Sequence, residues 1–178
     1  MYRSKSLYLI GLAVVLTARP IHAQSAPTDY RDEFLRHFAQ STRKIISLAD
    51  AMPEEFYTWS PGGGVMPVAQ VYMHLARYNY YYPETALGIP APEAIDVPNL
   101  ESITDKARVT RLFKESVEHV RTHVARMTSD QLTQPTRLYG RQIAGWAVLF
   151  QLLAHMNEHV GQSVAYARMN GIVPPWSR

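Results

Sequence analysis

His155 and His159 stand four residues apart in the segment LLAHMNEHVGQSVAYARMNG, which runs from Leu152 to Gly171. On a helix, residues so spaced lie about 40° apart around the axis, so two imidazoles can converge on one ion. The spacing alone is common. VEHVRTH holds a second such pair, His119 and His123, in a chain with seven histidines. Position relative to the apolar face separates the pairs. Val148, Leu152, His155, His159, Gln162 and Tyr166 follow in steps of three and four, and Leu149, Leu153, Met156 and Val160 widen that stripe into an apolar arc. Gln151, Glu158 and Arg168 fall on the other side. His119 and His123 lie at the flank of a stripe through Phe113, Val120 and Val124, where solvation is easy.

A third ligand should come from a facing helix. Pro67, Val71, His74, Tyr78 and Tyr81 step in the same way, so His74 is expected to point inward. Three neutral histidines around one divalent ion leave a fourth position for water, as in a catalytic rather than a closed structural site. Imidazole suits zinc, nickel, copper or iron, so the ligand set does not choose the metal. A buried polar group without a partner costs on the order of 1–3 kcal/mol, and two histidines in one stripe raise that cost. A shared metal satisfies them; a hydrogen-bond network with Gln162 and Tyr166 does so too. Those two residues either orient a ligand or bound water, or pack the end of the bundle. In ARYNYYY, Tyr78 and Tyr81 could line a pocket mouth, although packing at the core edge with the phenols reaching water is the plainer expectation. His37, in line with Phe34 and Ser41, is a reserve ligand.

Other chemistries are excluded or weakened. The chain has no cysteine, so thiolate nucleophiles, thiolate ligands and disulfides are impossible. Glu158 sits three residues after His155, whereas in the His-Glu-x-x-His motif the glutamate directly follows the first histidine; an exposed carboxylate is expected. Pro61–Val65, PGGGV, lacks the Gly-Lys-Ser/Thr ending of a phosphate loop and is a flexible turn. No Ser-His-Asp arrangement can be placed, and no catalytic side chain is assigned.

The elements that must position these residues are helices. The opening MYRSKSLYLIGLAVVLTARPIHAQ combines Arg3 and Lys5, an apolar run from Leu7 to Leu16 and a small-residue exit, the layout of a secretory signal peptide over residues 1–23. The run is shorter than the roughly 20 residues that span a bilayer. The mature domain, residues 24–178, is then periplasmic or secreted, with no membrane association after cleavage. Removing Arg3, Lys5 and Arg19 from the 18 bases leaves 15 against 15 acids, a balance that gives no footprint for nucleic acid. The periodicity predicts helices from about Thr28 (as N-cap) to Met52, Pro67 to Leu87, Thr104 to Met127 and Gln142 to Gly171, with no stretch alternating long enough to claim a sheet. The fold class is therefore all-α, a four-helix bundle, an architecture that builds ligand and metal sites from facing helices. Such bundles often pair, so a homodimer is considered, although no exposed apolar patch is visible in the sequence.

Three segments, LADAMPEEFYTWSP, VAQVYMHLARYN and HMNEHVGQSVAYARMNGIVPP, give the mature chain a resemblance to the DinB family of four-helix-bundle proteins over nearly its whole length. The resemblance implies a metal site of three histidines, one on the second helix and two on the last: His74, His155 and His159 here, with zinc or nickel as the expected divalent ion. It implies a metal-dependent hydrolase or transferase acting on a small-molecule substrate, or a non-catalytic protein that binds a metal or small ligand. Some relatives use a low-molecular-weight thiol, mainly a cytosolic reagent, and the expected export argues against that version.

Overall fold

The computed structural model describes residues 29–177. The expected signal peptide, residues 1–23, lies outside the described residues, as does the expected cap Thr28. Asp29 caps the first helix instead, its carboxylate accepting from the Arg31 and Asp32 amides. Helix α1 runs Tyr30–Ala51 and buries Phe34, Phe38, Ile45 and Leu48. Helix α2 runs Val68–Leu87 and stops at Gly88, whose φ of +68° suits glycine. Helix α3, Lys106–Val124, is shorter at both ends than its periodicity predicts. Asp105 starts it by accepting from the Arg108 amide at 2.7 Å. At the other end the amides of Arg126 and Met127 turn to carbonyls three residues back.

The largest departure from the sequence expectation precedes the last helix. A one-turn helix α4, Ser129–Thr133, closed by a Thr128/Gln131 capping box, leads into a hairpin of β1, Pro135–Leu138, and β2, Arg141–Ala144. The strands pair antiparallel, with Leu138 opposite Arg141. Tyr139 and Gly140 both have positive φ, as a tight hairpin turn of the right twist requires. Four-residue strands are too short to show alternation. Helix α5 therefore begins at Gly145, not Gln142, and runs to Met169.

Long-range contacts give the order and direction of the four long helices. Tyr30 stacks on Trp146 and Ser41 bonds Asn157, so α1 and α5 run parallel. Tyr72 meets Phe113 and Asn79 bonds Ser116, so α2 and α3 are parallel too. Arg31 reaches Met127 O while Asp50 pairs with Lys114, making α1 and α3 antiparallel. Tyr166 reaches Met66 O while Tyr82 lies by His155, making α2 and α5 antiparallel. Each helix packs on two neighbours, with α1 diagonal to α2 and α3 diagonal to α5. Parallel α2 and α3 require the chain between them to return along the bundle. The 20 residues of α2 rise about 30 Å at 1.5 Å each, and the proline-rich stretch from Gly88 to Asp105 covers that return. Its 3-10 turn, Val97–Ser102, packs on α2. Among the described residues no helix is long and apolar enough to cross a membrane.

Candidate metal centre

The antiparallel pairing of α2 with α5 sets the middle of one stripe against the middle of the other. One ring nitrogen each from His74, His155 and His159 lies within 4.8 Å of the other two. Within α5, His155 Nε2 and His159 Nε2 are 3.1 Å apart, and the His74 ring centroid is 5.1 Å from each of the other two rings. His155 and His159 are buried and His74 is half-buried.

The outer hydrogen bonds decide where the protons sit. The Met66 carbonyl can only accept, so Tyr166 Oη donates to it at 3.1 Å and accepts from Gln162 Nε2 at 2.8 Å. That leaves Gln162 Oε1 to accept from His159 Nδ1 at 2.6 Å. With its proton on Nδ1, neutral His159 presents Nε2 as a bare lone pair. The same logic applies to His74: Nδ1 lies 2.9 Å from Glu101 Oε1, a carboxylate that can only accept, so Nδ1 carries the proton and Nε2 is left as a bare lone pair. Two oriented lone pairs beside a third imidazole fit a divalent cation, because ligating histidines characteristically donate their other N–H to a carboxylate or amide oxygen. Burial, reinforced by the nearby His159 and His74, lowers the His155 pKa to about 4. Burial also lowers that of His159, against the opposing hydrogen bond of Gln162. Both rings are thus neutral at neutral pH, the form a metal needs. Burial alone would raise the Glu101 pKa, but hydrogen bonds from His74, Arg77 and Gln70 outweigh it and hold it below the usual carboxylate value.

Gln162 and Tyr166, which could have packed the bundle end, form the chain leading to His159. The Tyr78 ring centroid lies 4.7 Å from those of both His74 and His155, and burial raises its pKa. Tyr81 stays exposed and packs on Tyr78 and Tyr82 rather than on the histidines. The buried Tyr82 borders His155 instead and bonds Tyr139 of the hairpin turn at 2.6 Å between oxygens. His37 is exposed beside Arg36, and Glu158 is exposed as expected. Gln151 is half-buried rather than on the polar side. His119 corrects the sequence expectation more strongly: it is buried, because Tyr80 of α2 packs on its ring at 5.0 Å. His123 Nδ1 donates to the carbonyl of His119, and neither ring joins the triad. The sequence reading missed Glu101, Gln70 and Arg77. Glu101 lies in a loop without periodicity, so only the path of the crossover brings it to α2.

Residues 37–166 match the family model of the DinB superfamily. Among solved structures, a DinB-like protein from Bacillus cereus ATCC 10987 superposes with a TM-score of 0.67 at 20% identity, over 81% of this chain and 95% of that one. YjoA, a DinB-like protein from Bacillus subtilis, gives 0.64 at 18% identity, over 79% and 94%. YfiT from Bacillus subtilis, described as "a probable metal-dependent hydrolase with an unusual four-helix bundle topology", gives 0.64 at 17%, over 84% and 93%. At these identities the likeness is one of fold. No functionally curated protein matches the sequence.

Proposed function

The chain belongs to the DinB superfamily, and from that premise we propose that it is a metal-dependent hydrolase or transferase acting on a small molecule outside the cytosol. His74, His155 and His159 would hold a divalent ion, zinc or nickel, with imidazole nitrogens only. Such an ion supplies an acidified bound water or polarises a substrate oxygen. The chain's own part is to keep His155 and His159 neutral by burial and to orient His74 and His159 through their Nδ1 hydrogen bonds. Tyr78 shields one side of the cluster from bulk water. The observation that carries this reading is the pair of oriented, proton-free nitrogens on His74 and His159 beside His155. The description of YfiT as "a probable metal-dependent hydrolase" supports it. Export is supported by the basic, apolar and small-residue order of residues 1–23.

Elemental analysis of the purified mature protein tests the reading. One equivalent of metal is expected, lost in the His155→Ala/His159→Ala double variant; no metal in either protein sinks it. A second reading, a metal- or ligand-binding protein without catalysis, is favoured by Tyr78, whose ring crowds two of the three histidines. Turnover on ester, amide or phosphoester panels that vanishes on chelation decides against this second reading. Homodimer formation through the exposed Tyr30, Trp146 and Phe150 belongs to the same proposal.

A further inference from the structure

We infer that Glu101 is the positioning residue of this centre, and that through it metal occupancy is coupled to the order of the crossover from Gly88 to Asp105. The inference rests on the metal reading above. The Glu101 carboxylate is clasped by three donors from one face of α2. His74 Nδ1 at 2.9 Å and Arg77 Nη1 at 3.1 Å reach Oε1, and Gln70 Nε2 at 3.3 Å reaches Oε2. Residues 70, 74 and 77 follow the four-and-three step of a single helical face. With both oxygens engaged by α2, Glu101 is not poised to take a proton from a substrate. Its action is on His74: a carboxylate can only accept, so it holds the imidazole proton on Nδ1 and leaves Nε2 bare.

The carboxylate sits near the end of the Val97–Ser102 turn, on a segment whose route is imposed by the parallel α2 and α3. Next to it Leu100 is buried, so one apolar and one polar anchor fasten the crossover to α2. With an ion held at Nε2, the His74 ring would lose electron density and its Nδ1–H bond to Glu101 would strengthen. By linkage, whatever the clasp adds to metal affinity the metal returns to the clasp.

Zinc competition against a chromophoric chelator, applied to wild type, Glu101→Gln and Glu101→Ala, tests the positioning role. Affinity should fall about 10- to 100-fold in the alanine variant, the range for loss of an outer partner of a metal-bound histidine, and less in the near-isosteric glutamine variant. Circular dichroism establishes that both are folded. In metal-free wild type, 15N chemical shifts of His74 should report the Nδ1–H tautomer, and Glu101→Ala should lose that preference. For the coupling, hydrogen exchange at the bonded amides of Asn99 and Ile103 should slow at least fivefold when zinc is added to wild type, and not in His155→Ala/His159→Ala. Both Glu101 variants binding zinc within twofold of wild type, or crossover exchange indifferent to zinc, overturns the inference while the metal reading stands. Failure of wild type to take up zinc or any other metal overturns the metal reading and the coupling with it, and the His74 tautomer still decides the positioning role.

Discussion

The imidazole of His119 is 8% exposed, and its Nε2 has no hydrogen-bond partner among the described residues. Burial, with a smaller contribution from His123, lowers its pKa to about 4 from an ordinary value near 6.5. The unfolded chain therefore takes up a proton at this site at a pH where the folded chain still refuses it. Stability from this residue is present above about pH 6.5 and is lost as pH falls toward 4, by on the order of 1–3 kcal/mol. Denaturant unfolding of metal-free protein at pH 7.5 and 4.5 should show a smaller loss for His119→Leu than for wild type; equal losses would refute the assignment. A single-helix stripe puts this ring at the flank, because periodicity counts one helix at a time. Its burial comes from Tyr80 on the neighbouring helix. His155 and His159 were legible because the apolar arc around them belongs to their own helix.

At the scale of elements, the entry to α5 is fixed by a close approach of backbones. A Cβ placed on Gly145 would lie 2.9 Å from the Gln131 carbonyl oxygen and 3.1 Å from that of Leu132. Neither is a side chain that can swing aside. Gly145→Ala should therefore cost about 1–3 kcal/mol and lower Tm by several degrees in calorimetry. Gly161, on the exposed side of the same helix, meets nothing within 4 Å. There alanine restores helix propensity, and Gly161→Ala should raise stability by roughly 0.5–1 kcal/mol. Opposite signs for one substitution in one helix separate packing from propensity. The hairpin before α5 escaped periodicity because four residues per strand cannot establish a period of two. The Tyr139-Gly140 turn is its main local mark, and tertiary bonds secure it: Tyr139 to Tyr82, and the Thr136 hydroxyl to the Ala86 carbonyl.

Across the whole molecule, the parallel packing of α1 on α5 builds an apolar groove that neither segment shows alone. Tyr30, Phe34, Trp146, Leu149, Phe150 and Leu153 line it, and Phe150 is 69% exposed. Contiguous exposed apolar surface of this kind is the face through which the proposed pairing would occur. Sedimentation velocity should find a dimer in wild type and a monomer in Phe150→Glu, with circular dichroism unchanged; a monomeric wild type excludes pairing through this face. The sequence shows no such patch because its two halves lie more than a hundred residues apart.

The sequence by itself determined the helical class, the inward set of His74, His155 and His159, and the absence of any cysteine thiol on the chain. Those properties depend on residue type and on spacing along one helix. Tertiary structure decided what depends on how separate elements meet. The antiparallel pairing of α2 and α5 closes three histidines into one cluster, while Tyr80 buries His119 away from it. The parallel pairing of α2 and α3 forces the long crossover that delivers Glu101 to His74. Periodicity states which face of a helix turns inward; it does not state which neighbour that face will find, or what the connecting chain will carry past it.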